Sequence, residues 1–388
     1  MNLHATEPSA DPKYANLALE GGGVLVTAYC GAIAELESRG LIRDIINFAG
    51  AGTGSIIAGL LACGGNSDYI SNVMSRLDFR SFLDYGNKII AVYNVLCYKG
   101  ACPGDSFCDW YGHAVEKLTG SSAITLEELY TKYGGRLVIS VVNISKRRLE
   151  FWDYKTRPKI PLVIAVRASI SSGGLFMPVE IDGDLYIDGG AICNYPIQAF
   201  HYRGPTGDII NPRTIGLMLV SDNVPSHSQI NNMLDYGIAC VEYLWARSQK
   251  FHMDDQDWAR TIKIPTGKIS SIGSNITHDE VRTLIKAGKI AVSKYFSGIK
   301  TFRADTFQCV RAPHTEEDEV AISKRDPRNL QCAGIRCVFQ RPRPDDWESI
   351  VDGLTEIRVQ KRGQAAAKII KRTVGSSPPI AISQFRLE

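Results

Sequence analysis

An excess of charge of one sign is almost absent from this sequence: 44 Lys and Arg stand against 41 Asp and Glu over 388 residues, a formal net charge of +3. So small an imbalance argues against nucleic acid as a partner, because phosphate binding needs a strongly basic surface. No basic region followed by an apolar stretch opens the chain, so no secretory signal is read. None of the ten cysteines has C-x-x-C spacing with a second pair or histidines behind it, which removes the usual metal and disulfide frameworks. Free thiols in a reducing, cytoplasmic compartment and no metal site are the expectation. A clean membrane-length run is missing too. Residues 45–63 are apolar, but Gly50, Gly52 and Gly54 fall together in the middle, where a spanning helix would be weakest.

What remains is an ordinary globular composition, 44% hydrophobic and 22% charged, long enough for one large domain and an appendage. Residues 1–14 read as a loose leader and 15–300 as the domain. Residues 301–388, with an acidic stretch, scattered prolines and a basic segment near 358–372, read as a partly ordered extension. Apolar runs predict strands at 16–20, 45–49, 137–143, 149–152, 185–188, 214–220 and 261–264. Helical periodicity predicts helices from Ala28 to Gly40, at 56–63, over much of 75–133, at 162–168, and at about 228–250 and 278–296. Strands alternating with helices predict an α/β fold around a mainly parallel sheet, with its site at the carboxyl ends of the strands.

Three glycine-rich turns follow three of these strands. Gly21, Gly22 and Gly23 open a helix, where backbone N–H groups can point at an anionic oxygen with the helix dipole behind them. Such preset donors suit an oxyanion hole. Gly50-Ala51-Gly52-Thr53-Gly54 has the frame of a strand-to-helix nucleophile elbow, G-x-S-x-G, with glycine where the serine would stand. Asp188, at a strand end before Gly189-Gly190, is a carboxylate on a rigid element that can act as a base without histidine. None of the seven histidines lies in a glycine turn, so no Ser–His–Asp triad is proposed, and His113, His201, His227 and His252 read as ordinary surface or helix positions. Thr53 and Ser55 are helix caps before they are substitute nucleophiles. A nucleotide cradle is disfavoured, since G-x-G-x-x-G fails at Val26 and no G-x-x-x-x-G-K-[ST] occurs.

The order of these turns resembles the patatin-like phospholipases. The resemblance is carried by L-A-L-E-G-G-G-V at 17–24, F-A-G-A-G-T-G-S-I-I-A-G-L-L-A at 48–62, V-I-A-V-R-A-S-I-S-S-G-G-L-F-M-P-V at 163–179 and Y-I-D-G-G-A-I-C-N-Y-P-I at 186–197. It implies a three-layer α/β/α sandwich and a Ser–Asp dyad that hydrolyses phospholipid or other acyl-ester lipid without metal or organic cofactor. Carried across, Asp188 is the dyad base, Gly21, Gly22 and Gly23 form the oxyanion loop, Gly50 and Gly54 shape the elbow, and Gly52 holds the nucleophile position. Two departures stand out: the missing side chain at Gly52, and Val24-Leu25-Val26 where the family has a basic residue and a further glycine. The expectation is therefore a lipid acyl hydrolase inactive as written. Two readings stay open: an enzyme silenced by one replacement, and a natural pseudoenzyme that binds lipid or serves a regulatory or structural role. Peripheral membrane contact, through the glycine-loop rim or the basic segment near 358–372, is a further expectation.

Overall fold

A computed structural model describes residues 14–75, 77–204, 207–221, 253–269 and 276–298. Chain contacts divide the molecule into Met1–Ala304 and Asp305–Glu388. The helical pattern at 228–250, the extension at 301–388 and nearly all of the leader lie outside the described residues.

The chain opens with β1 (Asn16–Leu19), buried at every position. The glycine triplet then leads through a 3-10 turn, Gly23–Thr27, into α1 (Ala28–Ser38). β2 (Asn47–Ala51) starts two residues later than its apolar run suggests, because the Ile46 and Asn47 amides both donate to the Ala15 carbonyl before the ladder begins. α2 (Gly54–Ala62) is buried on all sides, as a helix without a polar face must be. There follow α3 (Ser67–Ser75), α4 (Lys88–Tyr98), β3 (Gly100–Cys102), α5 (Asp105–Thr119) and α6 (Leu126–Tyr133). Next come β4 (Leu137–Asn143), β5 (Arg148–Trp152), α7 (Leu162–Ser169), β6 (Gly174–Phe176), β7 (Val179–Ile181), β8 (Asp184–Asp188) and α8 (Gly190–Cys193). A short hairpin, β9 (Tyr202–Gly204) and β10 (Gly207–Ile209), precedes β11 (Thr214–Ser221), α9 (Asp255–Ala259), β12 (Thr261–Gly267) and α10 (His278–Phe296).

The central sheet, flanked by helices, runs β12-β11-β1-β2-β4-β8-β7, with β5 also paired to β4. It is parallel from β12 to β4, while the β4–β5, β4–β8 and β7–β8 pairs are antiparallel. Four of these seven pairings are parallel, in line with the expected mainly parallel sheet, and the antiparallel ones all involve β5, β7 and β8, which lie between β4 and β11 in the chain. Alternation along each strand gives the sheet two apolar faces. Leu17, Leu19, Ile215 and Leu217 join the larger core, while Ala18, Ala49, Val138 and Met218 face a smaller cluster closed by Tyr195, Ile197 and Phe200.

One pairing arrangement positions everything that follows. β5 occupies one edge of β4 over Ile139–Asn143, so β2 and β8 share the other edge end to end. Ala51 pairs with Ser140 and Asp188 with Val141. Adjacent residues of β4 thus bring the end of β2 and the end of β8 together.

Candidate active site

Gly52 follows the last residue of β2 and turns the chain into α2 with φ of +49°. This left-handed conformation is disfavoured for residues with side chains. The turn is held by both of its backbone groups. The Gly52 amide donates to Ser169 Oγ at 3.0 Å, and the Ser169 hydroxyl donates onward to the Ser140 carbonyl at 2.8 Å. The Ser55 hydroxyl donates back to the Gly52 carbonyl at 2.6 Å. The neighbouring glycines are needed for space. A Cβ at Gly50 would lie 2.5 Å from Ser55 Cα, and one at Gly54 would lie 2.5 Å from the Glu20 carbonyl oxygen.

A Cβ at Gly52 would meet something different: Asp188 Oδ1 at 3.3 Å and Oδ2 at 3.4 Å. The elbow and the aspartate expected from sequence are therefore neighbours, 136 positions apart in the chain but one rung apart on β4. Asp188 is fixed by its own amide, which donates to the Ser171 carbonyl at 3.0 Å, and by the Gly190 amide, which donates to Oδ1 at 2.7 Å. Part of Asp188 still meets solvent, yet protein crowds its carboxyl closely. That burial pushes its pKa up to about 7, against the lesser opposing pull of the Gly190 hydrogen bond.

The glycine triplet reaches the same place from β1. Gly21 is tied to the segment after β8 on both sides: its amide donates to the Asn194 carbonyl at 3.0 Å, and Asn194 Nδ2 donates to its carbonyl at 2.8 Å. The Gly22 amide donates to Thr53 Oγ1 at 3.1 Å, which joins the triplet to the elbow. Two of the three amides expected in the oxyanion loop are thus engaged within the protein. Those of Gly23 and Val24 meet no acceptor among the described residues. Leu25 and Val26, where the family has its basic residue and further glycine, are buried in the larger core.

Thr53 and Ser55 are both occupied, as linker and brace rather than as the side-chain caps expected of them. Sequence reasoning did not single out Ser169 or Asn194, because their value lies in backbone groups 117 and 173 positions away. His201 is not an ordinary surface position: its side chain is 7% exposed, with Nε2 2.6 Å from Arg260 Nη2. His227 and His252 lie outside the described residues. Among the described residues no group of His, Cys, Asp and Glu could hold a metal ion.

Comparison with known proteins finds several similarities. An uncharacterized protein of Acanthamoeba polyphaga mimivirus is 27% identical over 281 residues, covering 70% of this chain and 90% of that protein. A probable lipid hydrolase of Invertebrate iridescent virus 6 is 29% identical over 198 residues, covering 49% of this chain and 64% of that protein. Lysophospholipase nte1 of Aspergillus oryzae is 29% identical over 215 residues, covering 54% of this chain but only 12% of its own length. Among solved structures, VipD from Legionella pneumophila aligns with a TM-score of 0.49 at 17% identity, covering 76% of this chain and 70% of that one. The family model for patatin-like phospholipase matches residues 17–201, and the glycine triplet, the elbow and Asp188 all fall inside that match.

Proposed function

We propose that the chain carries the site of a lipid acyl hydrolase of the Ser–Asp kind, with Gly52 where the nucleophile would stand. As written, it binds acyl-ester lipid without forming an acyl-enzyme. One observation carries this reading: a Cβ on Gly52 would lie 3.3 Å from Asp188 Oδ1. A serine hydroxyl, one bond further out, would come within hydrogen-bond reach of that carboxylate. In such a variant Asp188 takes the hydroxyl proton as Oγ bonds to the ester carbonyl carbon. The carbonyl oxygen, now negative, is received by the amides of Gly23 and Val24 and by the amide after the nucleophile, Thr53. Collapse expels the alkoxide, which takes the proton back from Asp188. Water then hydrolyses the acyl-enzyme by the same route.

Gly52→Ser tests the reading, with a chromogenic short-chain ester as substrate. Turnover appears with the serine and falls roughly 10²–10⁴-fold on adding Asp188→Asn. It rises with pH and levels off above about 7, because the base must be unprotonated. The second reading, a pseudoenzyme that retains the lipid site for binding alone, is favoured by Leu25 and Val26, which are committed to the core where the family has a basic residue and a glycine. Saturable fatty-acid binding by the unaltered chain, with no turnover from Gly52→Ser, would select it.

A further inference from the structure

Helix α4 is built inside out. Its sequence, K-I-I-A-V-Y-N-V-L-C-Y, reads as a core helix, yet Ile89 is 82%, Leu96 79% and Val92 60% exposed. Ile90, Tyr93 and Tyr98 are exposed as well. Asn94, the amide within the apolar run, is the buried one at 8%, and donates from Nδ2 to the Ala101 carbonyl at 2.9 Å. Soluble proteins seldom present so much contiguous apolar side chain without a use for it. Placed at 100° per residue, the exposed positions cover most of the helix circumference and leave only the Asn94 side turned inward. A protein groove takes a narrower stripe, at i, i+3, i+4 and i+7. A fluid apolar phase can wet the whole arc.

The helix is also joined to the candidate site. Lys99, exposed at φ of +68°, turns α4 directly into β3, and β3 pairs with β6 through Gly100–Gly174 and Cys102–Phe176. β6 continues the segment in which the Ser171 carbonyl accepts the Asp188 amide. Leu175 on β6 and Ile192 on α8, four residues after Asp188, are exposed too. Exposed apolar side chains thus recur in the segments on either side of the carboxylate. At 11 residues α4 spans about 16 Å, half the hydrocarbon thickness of a bilayer, so it suits lying in an interface rather than crossing it. The tyrosines Tyr93 and Tyr98, with ring centroids 6.0 Å apart, have the amphipathic character of residues found at that boundary.

We propose that α4 is the surface by which this protein seats on a lipid surface, sinking its apolar arc to the boundary of headgroups and acyl chains. The proposal rests on the reading of the site as one for acyl-ester lipid, which makes a lipid surface rather than a protein the fitting occupant. The attraction is apolar and so insensitive to salt.

The test is sedimentation of the full chain with vesicles of pure phosphatidylcholine, at 0.15 M and 1 M NaCl. The parent sediments at both salt concentrations. The triple variant Ile89→Gln, Val92→Gln and Leu96→Gln, whose thermal unfolding verifies its fold, loses at least tenfold in partitioning. Leu96→Trp, which keeps the surface apolar, adds emission that shifts to the blue with vesicles and is quenched by brominated phosphatidylcholine. No sedimentation of the parent, equal sedimentation of the triple variant, binding abolished by 1 M NaCl, or added emission from Leu96→Trp that stays unquenched would each overturn the proposal. So would sedimentation velocity showing a dimeric parent and a monomeric triple variant, since a second copy would then cover the helix. None of these readouts requires turnover, so they can fail while Gly52→Ser hydrolyses a soluble ester, and the reverse.

Discussion

Asp188 gives the residue scale its plainest prediction. Its folded-state pKa, about 7, lies above the ordinary value of 3.8, so between those values the native protein holds a proton that the unfolded chain has released. Stability therefore falls as pH rises from about 4 to about 7, by about 1.4 kcal/mol for each tenfold difference in proton affinity at most. Asp188→Asn, whose amide oxygen can still accept from Gly190, removes that slope, and urea melts at pH 4.5 and 8 compare the two proteins directly. Glycines of the elbow differ in kind. Gly52→Ser places a side chain at positive φ near a carboxylate that welcomes a hydroxyl, at a cost of about 1–2 kcal/mol. Gly50→Ala and Gly54→Ala drive a methyl group into backbone, which cannot turn aside, and should cost about 3 kcal/mol or more in thermal melts.

At the scale of elements, helix ends and crossings set the terms. Thr125 and Glu128 close a capping box on α6, and Thr277 and Glu280 close another on α10. Thr125→Ala should cost about 1 kcal/mol by urea denaturation. α1 and α10 cross where Gly31 and Gly288 leave no room for a methyl group against the opposing backbone. Gly288→Ala should thus force the helices apart and cost more than an exposed cap, about 2–3 kcal/mol in the same melts. Elements with a strong local pattern were legible in the sequence: β1, β4, β8, β11, α1 and α10 fall where apolar runs or helical period put them. β3 and β6 were not, because three-residue strands with Gly100 and Gly174 at their starts exist only through pairing with each other. Nor was the outward face of α4, since periodicity tells which residues are apolar and not whether anything covers them. In the site, the glycines could be read because the turns demand them, and Asp188 because it ends an apolar run just before Gly189-Gly190. Ser169 and Asn194 could not, because a hydroxyl or amide that ties distant backbone has no local signature.

The whole molecule is larger than the part that the family model matches. The family match ends at residue 201, but β1 lies in the middle of the sheet only because β11 pairs with it on one side. Ile215, Leu217, Ile262 and Ile264 belong to the same core as Leu17 and Leu19. A chain stopped after residue 201 would expose that edge and half the face beneath it. Such a truncation should fail to unfold cooperatively by circular dichroism and should be degraded rapidly by trypsin, whereas the full chain gives a cooperative transition. The edge that β2 and β8 share along β4 has a consequence of another sort. Spacing between acid and elbow is inherited from the repeat of a single extended strand, not negotiated by side chains. Inserting one residue between Ser140 and Val141 would invert that alternation and swing the carboxylate to the opposite face. The distance from elbow to acid therefore belongs to the sheet and not to whatever residue stands at the turn, and a bare glycine keeps it.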